Sequence, residues 1–149
     1  MLGATLTFVL WLLMYVSVFA LVFGAFGAGA IGILFALGPE PAAKEQFINA
    51  VVAWMFVVYA AIGGAAAGAI TGALYALVPP RSRSILIAGA LGAGMVLACS
   101  LLSGLGAVYP LGWIFAVVAL ATTASMIAGW IVRKLETGSR SSSADVVVK

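Results

Sequence analysis

Residues 1–39, 46–80 and 84–132 are three runs without a single Asp, Glu, Lys or Arg. Backbone amides and carbonyls carried through stretches this apolar have to pair among themselves, because lipid offers them no partner, and only helices or a closed barrel achieve that. Runs of this length select helices, and at about 20 residues per crossing they hold four spans. Of 149 residues, 7% are charged and 65% hydrophobic. Soluble domains carry about 25% charged residues, which excludes a soluble fold here. The sequence therefore predicts an all-α, four-helix transmembrane bundle. A single domain is expected over 1–134, with spans at about 5–37, 42–78, 85–108 and 113–132. A cytoplasmic, Ser-rich, disordered tail is expected over 135–149.

Prolines and glycines punctuate the runs. Gly38-Pro39-Glu40-Pro41 stops the first helix and starts the second in a tight hairpin, since proline cannot continue a helix but suits its first turn. Pro79-Pro80 ends the second span, Tyr109-Pro110-Leu111-Gly112 turns the third into the fourth, and Arg133-Lys134 closes the fourth. The first two helices exceed what a bilayer needs: at 1.5 Å per residue they reach about 55 Å, against about 30 Å of hydrocarbon. Their shared tip, around residues 36–50, is expected to project from the membrane. The N-terminal run has the look of a signal peptide, with Ala28-Gly29-Ala30 in the place of a cleavage site. No Lys or Arg precedes it, however, and the apolar run continues past that site, so a retained signal anchor is expected.

Cations set the orientation. Arg81 and Arg83 in the second loop and Arg133, Lys134, Arg140 and Lys149 at the end of the chain outnumber Lys44 of the first loop six to one. The positive-inside rule then puts both termini in the cytoplasm, N-in and C-in, with Arg81, Arg83, Arg133 and Lys134 as topology anchors. Trp11 and Trp130 fall at the inner boundary, and Trp54, Trp113 and Tyr109 at the outer one, where amphipathic rings form belts. A five-span alternative breaks residues 2–38 at 24–29 and puts the arginine loop and the tail on opposite faces.

Small residues recur at every fourth position of both first spans: Ala20, Gly24, Ala28, Gly32 and Ala36, then Ala60, Gly64, Gly68, Gly72 and Ala76. Residues four apart share a helix face, and a face of Gly and Ala lets two backbones approach closely enough for dispersion and weak Cα–H···O bonds. The helix-packing residues are accordingly Ala20, Gly24, Ala28 and Gly32 on the first span and Gly64, Gly68 and Gly72 on the second. This is a glycine zipper whose partner is the neighbouring span, a second copy of the chain or another protein. The two series are offset by 40 throughout, and the same offset pairs Phe19 with Tyr59, Phe35 with Tyr75 and Pro39 with Pro79. Consecutive spans run in opposite directions, so a duplication would make the long first hairpin an inverted repeat about an axis in the membrane plane.

Polar residues inside the spans are few. Folding back at Pro110 sets Cys99 and Ser100 at the depth of Thr122 and Thr123, with Ser103 and Ser125 one turn away. Such a polar band either lines a narrow path or supplies interhelical hydrogen bonds, and the second is favoured. Cys99, the single cysteine, cannot form an internal disulfide and is expected to be a small buried packing residue. No carboxylate or amine interrupts the spans, so proton or ion coupling lacks its usual carrier. With no histidine in the chain, imidazole ligation of haem or zinc is excluded, and imidazole acid–base chemistry with it. Paired carboxylates, a phosphate-binding GxxxxGK and a metal-ligand cluster are all missing from the sequence, so no catalytic residue, cofactor or metal is expected.

The chain is thus rich in packing surface and poor in reactive groups. Its expected role is a non-catalytic structural or assembly subunit of a cell membrane, a bacterial plasma membrane on its Ala- and Gly-rich composition. The expected partners are the lipid bilayer and other transmembrane helices, in a homo-oligomer or a larger membrane complex, with no nucleic acid. The alternative is a homo-oligomeric small channel or transporter with a Ser/Thr-lined path between spans three and four.

Overall fold

The computed structural model describes residues 2–37, 46–102 and 111–147. The fold is all-α, with α1 (Leu2–Ala36), α2 (Gln46–Leu77), α3 (Ile85–Leu102) and α4 (Leu111–Val147). Three helices are long and apolar enough to cross a membrane, over Thr5–Ala36, Asn49–Leu77 and Gly112–Thr137, and α3 adds a shorter apolar helix over Ile85–Ser100. The hairpin tip with Glu40, Lys44 and Glu45, the turn at Tyr109-Pro110 and Ser103 lie outside the described residues. α1 packs chiefly on α2 and α3 chiefly on α4; the two pairs are joined where α1 meets α4 and α2 meets α3.

Apolar side chains surround α1 on every side. In such a helix size, more than polarity, decides what turns inward. The aromatic rings of Tyr15, Phe19 and Phe23, spaced four apart, are buried. Opposite them α2 presents Gly72, Gly68 and Gly64. A Cβ added at Gly64 would lie 2.5 Å from the Phe23 carbonyl oxygen and one at Gly72 would lie 2.7 Å from that of Tyr15, while at Gly68 it would run into the Phe19 carbonyl. Gly64, Gly68 and Gly72 are therefore spent inside the chain, against the α1 backbone.

The expected small-residue face of α1 is used only in part. Gly24 approaches the Ala61 carbonyl oxygen, 3.2 Å from where its Cβ would be, and a Cβ at Gly27, outside the every-fourth-residue series, would lie 2.5 Å from that of Ala60. A Cβ at Gly32 would meet nothing within 4 Å among the described residues, and Ala20 and Ala28 are half-buried. The reason is geometric: a row of every fourth residue drifts about 40° per step around a helix of 3.6 residues per turn, so a five-member row leaves the contact face. Gly24 and Gly64, equivalent under the offset of 40, meet each other, 3.4 Å from the Gly64 Cβ position to the Gly24 Cα. Away from that crossing the equivalent positions differ in environment, since Phe19 and Tyr75 are fully buried and their counterparts Tyr59 and Phe35 are exposed.

α3 and α4 are also held together through glycines. Gly89 lies against the Met126 and Thr122 side chains, Gly92 against Ser125 Oγ and the Ala121 carbonyl, and Gly129 against the Ala88 Cβ. Tyr15, Phe19 and Phe23 of α1, Tyr75 and Ala76 of α2, Ala88 of α3 and Ala121, Ala124, Ala128 and Val132 of α4 form one core. Tyr75 stacks at 5.8 Å from Tyr15 and 5.5 Å from Phe19 in tilted pairs, which lets the positive ring edges meet negative faces.

α4 does not stop at 132, where the charge pattern ends the fourth span; it continues as helix through the expected tail to Val147. Loss of hydrophobicity marks where a helix leaves lipid, not where its hydrogen bonding ends, and no proline follows Arg133. Thr137 Oγ1 donates back to the Arg133 and Lys134 carbonyls, 3.1 and 3.0 Å, within this extension.

Candidate functional site

Polar chemistry gathers where the start of α1, the α2–α3 loop and the extension of α4 converge. Pro79-Pro80 breaks α2 and leaves its last carbonyls without amides to receive. Arg83 fills that gap: its Nε donates to the Val78 carbonyl at 2.8 Å and its Nη2 to the Ala76 carbonyl at 2.7 Å. The third nitrogen, Nη1, reaches the Tyr15 hydroxyl at 2.5 Å and Glu136 Oε1 at 3.2 Å. Tyr15 in turn donates its hydroxyl proton to the same Glu136 oxygen, and its ring centroid lies 4.9 Å from the Arg83 guanidinium carbon. One planar cation thus ties three segments, a geometry that a lysine ammonium, a single point charge, cannot reproduce.

The loop is finished on its other side by Ser84. Its Oγ accepts from the Ile87 amide at 3.2 Å as the N-cap of α3, and its carbonyl accepts from the Ala88 amide at 3.1 Å and the Tyr75 hydroxyl at 3.4 Å. Arg83 and Glu136 are 15% and 25% exposed, so the pair sits in the rim of the core, where partial desolvation strengthens a charge-assisted bond. The Tyr15 hydroxyl and the Glu136 carboxylate are bonded to each other and both to the one guanidinium. The arrangement is a clasp. Among the described residues no group of three His, Cys, Asp or Glu could hold a metal ion.

Of the four cations expected as topology anchors, Arg83 forms this clasp and the other three lie around it. Arg81, Arg83 and Arg133 line one hollow with Glu136, and Lys134 lines the next with Arg133. Sequence patterns marked Arg83 as an anchor but passed over Tyr15, Tyr75 and Glu136. The available signal was that Glu136 is the nearest carboxylate to the fourth span, three residues past Arg133.

The described members of the expected polar band do not share one depth. Packing of Gly92 on Ser125 and of Gly89 on Thr122 sets the register of α3 on α4, which leaves Cys99 and Ser100 about 10 Å further along α3 than Gly92. Cys99 is exposed, as are its neighbours Leu97 and Ala98, so the buried packing role expected of it does not hold. Thr122 and Thr123 donate to the carbonyls four residues back in their own helix, Val118 at 2.7 Å and Ala119 at 2.9 Å, and Thr71 does the same to Ala67 at 2.8 Å. Such back-bonding satisfies a hydroxyl without any partner helix. Ser125 is fully buried and its Oγ has no hydrogen-bond partner among the described residues. It lies against the Cα of Gly92, the position of a weak Cα–H···O contact.

At the opposite end a groove of about 420 Å³ runs between α1 and the start of α4, lined by residues including Gly27, Ile31, Leu34, Ala60, Trp113 and Val117, and its lining among the described residues is apolar. Compared with known protein families, with curated proteins and with solved structures, the chain matches none of them.

Proposed function

We propose that the chain is a four-span protein of a bacterial plasma membrane that acts as a non-catalytic structural or assembly subunit, packing against other transmembrane helices in a homo-oligomer or a larger complex. Both termini and the clasp face the cytoplasm. This orientation is supported by Arg81, Arg83, Arg133 and Lys134 lying at one end of the molecule, beside Tyr15 of α1. An inverted repeat of the first two spans is supported by the meeting of Gly24 with its counterpart Gly64.

The observation that carries the subunit reading is the overhang of α1. From Tyr15, level with the Arg83–Glu136 pair, to Leu34, which shares the groove with Trp113, α1 covers about 28 Å, the thickness of the hydrocarbon layer. The preceding turns extend past the charged plane. Residues 5–10 are all exposed, and Leu6, Phe8, Val9, Leu10 and Leu13 present bare apolar side chains. Apolar turns beyond the clasp call for a protein cover. Gly64, Gly68 and Gly72 of α2 cannot supply it, being used within the chain. A channel role would need hydroxyls along an open path, whereas Thr122 and Thr123 are turned into their own helix and the groove is apolar.

The experiment is to tag the C-terminus, express at native level, extract in mild detergent and determine the mass and composition of the particle. Other proteins in stoichiometric amount, or several copies of the chain, are expected, and Leu6→Ser/Leu10→Ser should release them while leaving the thermal midpoint in place. A particle holding one copy and detergent alone overturns the reading.

A further inference from the structure

Beside the clasp lies a hollow of about 220 Å³ between the start of α3 and α4, lined by Ile85, Trp130, Arg133, Lys134 and Thr137. It shares Arg133 and Thr137 with a second hollow of about 230 Å³ that reaches Arg81 and the Arg83–Glu136 pair. Glu136 is committed to Arg83. Among the described residues Arg81, Arg133 and Lys134 therefore line the two hollows with no carboxylate paired to them. The Lys134 ammonium sits 5.8 Å from the ring centroid of Trp130, which holds its charge over the apolar floor made by the indole and Ile85. Thr137 spends its proton on its own helix, so the anion-binding groups are the three cations. The first turn of α3, capped by Ser84, opens its positive dipole end beside Ile85.

Cations on an aromatic and aliphatic floor, at the end of an apolar bundle, complement a phosphate ester whose other end is hydrocarbon. We propose that these adjacent hollows bind the phosphate headgroup of an anionic glycerophospholipid. Arg133, common to both, takes the phosphate oxygens with its planar donors. Lys134 and Arg81 flank it, and the acyl chains run from Ile85 and Trp130 along the exposed apolar surface that includes Leu86. Basic pockets between helices at the cytoplasmic boundary are suited to such headgroups. The site does not depend on the assembly role, since it is built within one copy of the chain.

The test is native mass spectrometry of the full chain in neutral detergent with added phosphatidylglycerol, phosphatidylcholine or inorganic phosphate. Phosphatidylglycerol is expected to stay bound at concentrations where phosphatidylcholine does not. Each basic residue at an anionic lipid surface contributes about fivefold, so Arg133→Gln/Lys134→Gln should weaken phosphatidylglycerol binding about 25-fold. The charge-matched Lys44→Gln/Lys149→Gln should change it by no more than about twofold if the site is local. Arg133 and Lys134 are exposed, and an unchanged thermal midpoint in the first variant shows that a loss of binding is not a loss of fold. Equal weakening in both double variants, or equal retention of the two lipids, overturns the site. Displacement of the lipid by millimolar inorganic phosphate assigns the hollows to the free ion and overturns the lipid assignment.

Discussion

Arg83 pairs with Glu136, Nη1 to Oε1 at 3.2 Å, across 53 positions of sequence. The pair joins the loop after α2 to the extension of α4, and through the Tyr15 hydroxyl it also holds α1. The contacts between the two helix pairs, α1 with α4 and α2 with α3, are sparser than those within them, so this clasp acts where the assembly is weakest.

Removing the cation should cost more than neutralising the anion. Arg83→Ala leaves the Val78 and Ala76 carbonyls without their side-chain donor and the Glu136 carboxylate with the Tyr15 hydroxyl but no cation, and about 2–3 kcal/mol of stability should be lost, since each hydrogen bond to a charged group contributes about 1.5–3 kcal/mol and the bonds share one side chain. Glu136→Gln keeps an acceptor for Tyr15 and should cost about 1 kcal/mol. Unfolding by denaturant titration in detergent reads both, and wild-type stability in Arg83→Ala would show that the clasp contributes nothing.

Two adjacent glycines should respond in opposite ways to the same methyl group. Gly63 has open space around its Cβ position, whereas Gly64 faces the Phe23 carbonyl oxygen at 2.5 Å. Gly63→Ala should be neutral or stabilise by up to about 1 kcal/mol through helix propensity. Gly64→Ala forces backbone apart and should cost about 1–3 kcal/mol, and Gly68→Leu, driven into the Phe19 carbonyl, should cost more. Thermal midpoints decide this; equal behaviour of the two alanine variants would place the α2 glycines away from α1.

Tyr15 and Tyr75 are both buried and touch each other, but their hydroxyls do different work. That of Tyr15 bonds Arg83 and Glu136, while that of Tyr75 reaches only the Ser84 carbonyl at 3.4 Å. Tyr15→Phe is expected to cost about 1–2 kcal/mol and Tyr75→Phe less than about 0.5 kcal/mol. Tyr75→Ala, which empties a core position, should cost about 3–5 kcal/mol. The ranking of the three midpoints is the measurement.

The hydroxyls of α4 should prove dispensable. Ser125→Ala removes a buried, unpartnered oxygen and should leave stability unchanged or raise it by about 1 kcal/mol. Thr122→Val trades a bond within its own helix for a methyl group and should shift stability by less than about 0.5 kcal/mol. In proteoliposomes a solute flux abolished by alanine at Ser100, Ser103 and Thr122 together would restore the channel alternative.

Much of the architecture is a property of single segments, and that part is legible in the sequence. The charge-free runs yield the apolar helices, and Pro79-Pro80 divides α2 from α3 wherever those helices later pack. The candidate site was half visible: Arg83 stands out as a cation beside a span, but its partners Tyr15 and Glu136 are remote in sequence and unremarkable alone.

What tertiary structure decided are relations between segments. Hydrophobicity assigns a helix to lipid without saying which side chain faces which neighbour, because in an apolar helix every face is permissible and shape makes the choice. So the row through Gly32 leaves the interface while Gly27 enters it, the register of α3 on α4 follows from Gly92 seating against Ser125, and Cys99 ends exposed. The same holds for the end of α4. A fall in hydropathy locates the membrane boundary, but whether the chain beyond it is tied down depends on a carboxylate meeting a guanidinium from another loop, and only the packed helices bring Glu136 to Arg83.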